Sequence, residues 1–256
     1  MPEAYIYESV RTPRGRGEKG GALYEVKPID LLAAALLALR ERTGIAPEEL
    51  DDVIIGCATP IDGQGYNIAK AALLHAGWGA AVGGMQVNRY SASGLEAINL
   101  AAMKVRSGWE SLVLAGGLES MSRIPPGSDG GPLMFDPELV SRAYSIPQGI
   151  SADLIATLDG FSREELDAWA LNSHRRARQA WDNGYFDRSA VPIHDRNGLL
   201  ILDRDEHIHP NITLDALAQL PPAFEAIGRQ GFNAMALRRY PMLERIRHLH
   251  TAGNSS

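Results

Sequence analysis

Short apolar runs alternate with longer segments rich in alanine and leucine over the first 120 residues of the chain. The short runs contain β-branched residues and predict strands at residues 4–9, 52–58, 85–91 and 111–117. The longer segments each end close to a glycine and predict helices at residues 29–44, 67–75 and 92–106. Strands that alternate with helices of this length predict an α/β fold with buried, mostly parallel strands.

The pattern changes after residue 121, where a stretch rich in proline and glycine predicts an irregular loop. Ser162 followed by Glu165 is a capping box, and it predicts the start of a helix that ends at Gly184. Two apolar runs around Asn197-Gly198 predict a β-hairpin. Residues 121–250 are therefore predicted to form a lobe of helices and a hairpin, inserted into or attached to the α/β layer.

The composition is that of a globular protein, with 45% hydrophobic and 22% charged residues. No apolar run approaches the ~20 residues that a membrane span needs, and the first residues lack the pattern of a secretory signal. Cys57 is the single cysteine, so the chain cannot form an internal disulfide, and a cytoplasmic location is expected. Its place at the end of an apolar strand predicts a small buried hydrophobe.

The net charge of −6 argues against nucleic-acid binding, but the arginines are not evenly spread. They form two clusters, Arg175, Arg176 and Arg178 in one and Arg238, Arg239, Arg245 and Arg247 in the other. Clusters of this kind are usually solvated helix faces. The alternative interpretation is that they contact an anionic ligand or a partner protein, and the pattern does not decide between the two.

Ser91 is the first candidate for chemistry, because a predicted strand delivers it to a turn and a helix begins at or near Ala92. A side chain in that place lies at the positive end of a helix dipole, which stabilises a developing anion and lowers the pKa of a nucleophile. The alternative is that Ser91 is only the N-cap of the helix. A serine-hydrolase elbow is excluded, because Arg89 and Ser93 occupy the positions that it needs as glycines.

Histidines two residues apart, His207 with His209 and His248 with His250, lie on one face of a strand and form possible metal-ligand pairs. With one cysteine in the chain and no fixed third ligand, no metal site is predicted. These histidines are interpreted as ordinary surface or loop residues. The neighbouring acidic residues are interpreted as solvated loop charge, namely Asp203, Asp205 and Glu206.

Four motifs occur in order along the chain: VRTPRG from Val10, VNRYSASGLEAI from Val87, AGGLESMS from Ala115 and TAGNSS from Thr251. Together they resemble the thiolase family, whose active-site signature has cysteine where this chain has Ser91. The segments GSDGG, GFSREELDAWAL and NGLLILDRDEH are most similar to the thiolase subunit of fatty-acid β-oxidation trifunctional complexes.

The resemblance implies a fold of two similar α/β halves, packed as five α-β-α-β-α layers, with a loop domain inserted in the first half. On this basis the chain is expected to hold the thiolase N-terminal α/β core at residues 1–120 and the inserted helical loop domain at residues 121–250. Residues 251–256 would be the start of the returning core segment, truncated, with the second α/β half absent.

Thiolases cleave a 3-ketoacyl-CoA with free CoA, or run the reverse condensation of acetyl-CoA. The resemblance therefore implies an acyltransferase with coenzyme A and acyl-CoA as substrates and no other cofactor. Ser91 stands at the position of the acyl-accepting cysteine. His209 stands where family members often hold the CoA nucleotide with an arginine, and Ser256 is a second candidate for substrate or CoA binding. The family's proton-transfer histidine and second cysteine lie in the second half, so this chain alone is expected to be inactive.

The resemblance also implies a homodimer through the N-terminal half, around the strand that bears Ser91, and an association with a hydratase/dehydrogenase subunit. Two other interpretations stay open. The chain is either a non-catalytic, thiolase-like scaffold or CoA-binding and assembly protein, or a variant whose nucleophile was replaced in order to trap an acyl-CoA complex.

Overall fold

A computed structural model describes residues 3–209 and 211–255, and it divides the chain into two compact units. The first unit contains the residues up to Asp129 together with Tyr185–His207, and the second contains Gly130–Gly184 and the residues from Ile208 onward. Domain boundaries at residues 120 and 250 stay a prediction. The hairpin region that was predicted within the loop domain belongs here to the first unit.

The strands are β1 (Asp52–Gly56), β2 (Met85–Val87), β3 (Val113–Gly117), β4 (Ile193–His194) and β5 (Leu200–Leu202). The helices are α1 (Pro28–Thr43), α2 (Ile68–His75), α3 (Ser93–Ser107), α4 (Pro132–Phe135), α5 (Pro137–Ala143), α6 (Gln148–Asp159), α7 (Arg163–Asp182), α8 (Leu214–Ala218), α9 (Glu225–Ile227) and α10 (Asn233–Arg239). Short 3-10 turns occupy Pro47–Glu49 and Asp62–Gln64, and a π-type turn joins α9 to α10. Within the described residues, no helix is both long and apolar enough to cross a membrane.

The main sheet of the first unit has the strand order β2-β1-β3, and both neighbours run parallel to β1. The central strand is fully enclosed, since Val53 and Ile54 are 0% exposed. Side chains alternate across the sheet: Val53 and Ile55 pack with the cluster from α1 and α2, whereas Ile54 packs against Ala97 of α3. Helices therefore cover both faces, and the predicted parallel α/β fold is confirmed.

The ends of the helices follow from local sequence signals. Gly44 and Gly108 adopt left-handed conformations, with φ of 68° and 75°, directly after α1 and α3. A side chain with a Cβ is strained in that conformation, so glycine ends these helices readily. Asn67 caps α2 by accepting a hydrogen bond from the backbone N–H of Lys70. The predicted helices of this unit are confirmed to within about two residues at either end.

The strand predicted at residues 4–9 is not formed, and this prediction is wrong. Tyr5, Ile6 and Tyr7 are 71%, 79% and 85% exposed, and the segment pairs with no strand among the described residues. A strand needs a neighbour to satisfy its backbone hydrogen bonds, so a β-rich composition alone is insufficient. The chain acquires its first pairing at Arg11, which forms an isolated parallel bridge with Ala190.

The predicted hairpin forms, with β4 antiparallel to β5 and Gly198 in the left-handed conformation at φ 83°.

Asp205 and Glu206, in the loop after the hairpin, were predicted to be solvated charges, and this prediction is wrong. Asp205 accepts two hydrogen bonds from the Arg11 guanidinium, at 2.7 and 3.0 Å. Glu206 accepts from the backbone and side chain of Arg16, at 2.8 and 2.9 Å. Asp205 thus anchors the VRTPRG segment within the first unit, and Glu206 anchors the residues that follow it.

Burial alone would raise the pKa of Glu206, but the backbone N–H groups of Arg16 and Ala22, with the Arg16 guanidinium, lower that pKa below its usual range. The ionised carboxylate is therefore the form that this loop stabilises.

In the second unit, α7 begins with the predicted capping box. Ser162 accepts from the backbone N–H of Glu165 at 3.2 Å, and Glu165 accepts from that of Ser162 at 2.8 Å. Asp167 on the same helix is 3% exposed and bonds Arg163 and Asn254, at 2.8 and 2.7 Å. The capping box and these bonds fix the start of the long helix.

His248 and His250 lie in an irregular segment, as the interpretation as loop histidines predicted, but they are not surface residues. Their side chains are 9% and 13% exposed, and Nδ1 of each lies 2.7 and 2.8 Å from a different oxygen of Asp153, which is itself 0% exposed. Asp153 also accepts from the backbone N–H groups of Leu249 and His250, both at 3.0 Å. A buried carboxylate needs several such partners, and here two histidines provide them.

Candidate active site

The three parallel strands of the first unit end at one edge of the sheet, and the chain continues from each of them into an irregular segment or a turn. Cys57 and Ala58 follow β1, the segment from Asn88 to Ser91 follows β2, and Glu119 comes shortly after β3. Ligands of open α/β sheets bind at the carboxyl ends of the strands. This edge is therefore the candidate site, and it contains Ser91.

Helix α3 begins directly above this edge because two strands end in glycine. A Cβ on Gly56 would lie only 2.2 Å from the backbone carbon of Ser93, and one on Gly117 would lie 3.2 Å from the Cα of Gly94. Real Cβ atoms essentially never approach backbone atoms to 2.2 Å, so only glycine fits at position 56, whereas the contact at position 117 would be tighter than most real Cβ contacts. The first turn of α3 and the ends of β1 and β3 are consequently in direct backbone contact.

A tight turn carries the chain from β2 into α3. The N–H of Tyr90 donates to Asn88 Oδ1 at 2.9 Å, and Tyr90 itself has a positive φ of 50°. The N–H of Ala92 donates to the carbonyl of Arg89 at 3.1 Å. Ser93 is 3% exposed, and its hydroxyl accepts from the N–H of Arg89 at 2.8 Å. Side-chain and backbone bonds together define the conformation of this turn.

Ser91 lies at the exposed crest of the turn, two residues before the start of α3. The N-cap position belongs to Ala92, whose side chain forms no cap hydrogen bond, so the interpretation of Ser91 as the N-cap is wrong. Its hydroxyl is accessible next to a helix N-terminus, where the N–H groups and the dipole favour negative charge. The arrangement is chemically suited to a nucleophile or to the binding of a carbonyl oxygen.

A hydrogen-bond network around the buried Gln64 connects the strand ends at the same edge. Glu119 Oε2 accepts from the N–H of Ala58 at 2.7 Å, and Oε1 accepts from Gln64 Nε2. Gln64 is 0% exposed, and its amide also bonds the carbonyl of Thr59 at 2.8 Å and the N–H of Ser120 at 3.1 Å. The network ties the residues after β1 to those after β3.

Cys57 is 1% exposed at this edge, as predicted for a small buried hydrophobe. Its sulfur lies 3.9 Å from Glu119 Oε2. Burial, reinforced by the nearby carboxylate, raises the pKa of the Cys57 thiol to about 12. The thiol therefore stays protonated near neutral pH, and Cys57 is not a nucleophile of this site.

The sequence pattern points to Ser91 but not to Asn88, Gln64 or Glu119. The signal that points to them is topological, because each side chain bonds the backbone at the carboxyl edge of the sheet. The motif AGGLESMS contains Glu119, yet the pattern alone does not say which strand end its carboxylate contacts.

Of the other two candidate residues, the structure describes His209 alone. His209 is exposed in the second unit, where its ring centroid is 5.5 Å from that of His174. Ser256 lies outside the described residues. Ser91 belongs to the first unit and His209 to the second, and each is described within its own unit. The arginines of both sequence clusters are exposed, in agreement with solvated faces.

Among residues 3–209 and 211–255, no three His, Cys, Asp or Glu side chains are grouped closely enough to hold a metal ion.

Comparison with known proteins identifies one family. The profile of the thiolase N-terminal domain matches residues 4–230. A β-ketoadipyl-CoA thiolase of Pseudomonas aeruginosa is 38% identical over 240 residues, which cover 86% of this chain and 59% of that protein. A 3-ketoacyl-CoA thiolase of Bacillus subtilis is 37% identical over 241 residues, which cover 89% of this chain and 61% of that protein. A 3-ketoacyl-CoA thiolase of Shewanella frigidimarina is 36% identical, over 89% of this chain and 59% of that protein.

The chain belongs to the thiolase family, and the matched segment is the family's N-terminal domain. The resemblance derived from the four sequence motifs is thereby confirmed. The chain spans about 60% of the length of these relatives.

Proposed function

We propose that this chain is the N-terminal part of a thiolase-type acyl-CoA acyltransferase and that residue 91 is its acyl-accepting position. The observation that carries the proposal is the placement of Ser91, exposed at the carboxyl edge of a parallel sheet and directly before the N-terminus of α3. Backbone N–H groups and the helix dipole at that point can stabilise both a nucleophile and the oxygen of an attacked carbonyl.

The proposed reaction at this position has two steps. In the first, the oxygen of Ser91, or the sulfur of a cysteine in its place, forms a bond to the 3-keto carbon of the substrate, the bond between C2 and C3 breaks, and C2 takes up the proton of the nucleophile and leaves as acetyl-CoA. In the second, the sulfur of free CoA forms a bond to the acyl carbon, the bond to residue 91 breaks, and the CoA proton returns to residue 91. The second step run backwards is the acylation of residue 91 by an acyl-CoA, with release of CoA. A serine hydroxyl is un-ionised at neutral pH, whereas a thiol is already a few per cent thiolate. Acyl transfer to Ser91 is therefore slow, and the chain as it stands is inactive or nearly so.

The substrates that we propose are CoA and a 3-ketoacyl-CoA, as in the names of two of the relatives. A role in fatty-acid β-oxidation would follow from that substrate class. A cytoplasmic location is proposed from the single cysteine, and no cofactor besides CoA is proposed. A homodimer around β2 agrees with the position of this strand at the edge of its sheet, where one side has no partner among the described residues. A hydratase/dehydrogenase subunit is the further partner that such a role implies.

A serine at residue 91 also favours a second candidate, a non-catalytic, thiolase-like scaffold that binds CoA. The two candidates differ in whether the environment of residue 91 still activates a nucleophile. This difference can be measured by restoring the thiol.

The test is to make Ser91→Cys, incubate it with acetyl-CoA and measure by intact mass and peptide mapping where an acyl group is attached. We expect one acyl group per chain, on residue 91, with Cys57 unmodified because its thiol is buried and protonated. The unmutated chain should be acylated at least about 100-fold more slowly, since only a thiol is partly ionised at neutral pH.

The matched control is Ser107→Cys, because Ser107 is exposed at the opposite end of the same helix, where the dipole disfavours a thiolate. Acylation at residue 91 well above that at residue 107 supports the acyltransferase. Equal acylation at the two positions would mean that residue 91 has no activating environment, and the scaffold would then be the better explanation.

A further inference from the structure

Asn88 holds together two strand ends and the turn that carries Ser91. Its Nδ2 donates to the carbonyl of Ala58, after β1, at 3.0 Å. Its Oδ1 accepts from the N–H of Tyr90 at 2.9 Å. One side chain thus connects the end of β1 with the residue immediately before Ser91. Both functions of the amide are used, which a hydrophobic residue of similar size cannot reproduce.

The backbone of Tyr90 needs this support. Its φ of 50° lies in the left-handed region, which is unfavourable for a residue with a Cβ. Its side chain is 69% exposed, so packing of the ring contributes little to holding the conformation. The hydrogen bond to Asn88 acts on the Tyr90 amide directly. Rotation of that residue would change the direction in which Ser91 leaves the turn.

Ala58, whose carbonyl accepts from Asn88, forms a second hydrogen bond through its own backbone. Its N–H donates to Glu119 at 2.7 Å, and Glu119 is held in turn by the fully buried Gln64. A continuous series of bonds therefore leads from the end of β3, through the end of β1, to the turn after β2. The turn is therefore linked by hydrogen bonds, through the exposed side chains of Asn88 and Glu119, to the fully buried Gln64.

We propose that Asn88 is a positioning residue, which fixes the left-handed conformation of Tyr90 and thereby presents residue 91 to the N-terminus of α3. This inference rests on the proposed function, in that residue 91 is taken as the acyl-accepting position. Asn88 itself does not touch the acyl group. Its effect is expected on the ionisation and reactivity of a nucleophile at residue 91.

The first measurement is the amide hydrogen exchange of Tyr90, by NMR, in the unmutated chain and in Asn88→Ala. We expect the Tyr90 amide to exchange at least about 10-fold faster in the variant, because its acceptor is gone. Asn172→Ala is the control, since Asn172 is exposed on α7 in the other unit. Unchanged exchange at Tyr90 in a folded Asn88→Ala chain would overturn the proposal.

The second measurement is the pH profile of alkylation of the thiol in Ser91→Cys. Adding Asn88→Ala should slow alkylation near neutral pH by about 10-fold and move its midpoint to higher pH, because the thiol leaves the helix N-terminus. Adding Tyr90→Gly to that variant should restore much of the rate, since glycine adopts positive φ without strain. The same rate and midpoint with and without Asn88 would contradict the positioning role.

The rescue variant also keeps the test decisive if Asn88→Ala alone fails to fold. The two claims fail in different ways. A Ser91→Cys thiol that reacts no faster than free cysteine overturns the proposed function, while the role of Asn88 is then decided by the exchange of the Tyr90 amide.

Discussion

Cys57 and Ser91 both follow a strand of the same parallel sheet, yet their surroundings favour opposite protonation states. Cys57 is enclosed at 1% exposure beside the Glu119 carboxylate, which disfavours a thiolate. Ser91 is exposed at the N-terminus of a 15-residue helix, which favours an anion. Exposure and the nearby helix N-terminus therefore determine which position suits a nucleophile. A sulfur atom at Cys57 is not sufficient.

The environment of Cys57 makes the stability of the first unit depend on pH. Its pKa is raised from about 9 to about 12 on folding, so its contribution is fully present below pH 9 and is lost as the pH rises toward 12. We expect the free energy of unfolding to fall over this range with a slope of up to about 1.4 kcal/mol per pH unit from this group. Urea unfolding at a series of pH values measures the slope.

Lysines and tyrosines titrate over the same range, so the comparison that isolates Cys57 is with Cys57→Ala. That variant should be less stable at pH 7 because it leaves a small cavity, but its stability should fall less steeply above pH 9. Parallel curves for the two chains would show that the Cys57 thiol ionises as easily in the folded chain as in the unfolded one.

For single residues, the sequence is informative where the role of a residue depends on its neighbours in the chain. Ser91 was located from the order strand, turn and helix alone. The partners of Asp205 and of Asp153 were not predicted, because Arg11 is 194 residues away from the first and His248 is 95 residues away from the second. Hydrophobic periodicity carries no information about such distant polar pairs, and both acidic groups depend on them.

The elements of the first unit show the same division between local and distant causes. Helix α3 was predicted to within about two residues, since Gly108 and the apolar period determine it locally. The strand at residues 4–9 was predicted from composition and does not form, because strand formation depends on a partner elsewhere in the chain. The strand predicted at residues 85–91 comprises only Met85–Val87, because the turn into α3 begins directly after it.

The contact between β1 and α3 gives a prediction at the scale of elements. Gly56→Ala should destabilise the chain by about 3 kcal/mol or more, because its Cβ would meet the backbone of Ser93 at 2.2 Å. The neighbouring strand supplies a matched control. Gly116 pairs in register with Ile55, and a Cβ there would have nothing within 4 Å. Gly116→Ala should therefore change stability by less than about 1 kcal/mol.

Urea unfolding of the two alanine variants measures this difference. If α3 shifts to accommodate the new Cβ, the Gly56→Ala variant should also lose the reactivity of a thiol at residue 91, whereas Gly116→Ala should keep it. Equal stability of the two variants would show that α3 does not rest on the end of β1 in solution.

Large apolar side chains are exposed at more than one place on the molecule. In the first unit, Tyr5, Ile6 and Tyr7 are exposed near the start of the chain, and Leu95 and Ile98 are 62% and 40% exposed on the outer face of α3. Large exposed apolar patches promote association. β2 lies at the edge of the sheet close to α3, and an edge strand offers unpaired backbone groups to a second copy.

We therefore expect the purified chain to associate, as a dimer or a larger species, in a manner that depends on concentration. Light scattering coupled to size-exclusion chromatography measures this state.

The double substitution Leu95→Glu and Ile98→Glu should shift the distribution toward monomer, because it places charge on the apolar face next to the edge strand. Leu199→Glu is the matched control, since Leu199 is 70% exposed on the hairpin loop, outside α3 and β2, and the substitution should leave association unchanged. A cooperatively folded monomer at every concentration in the unmutated chain would rule out association through this face, and with it the homodimer around β2. Equal shifts in the double variant and in Leu199→Glu would instead attribute the association to general apolar exposure, since a specific interface at α3 and β2 would not respond to a charge on the hairpin.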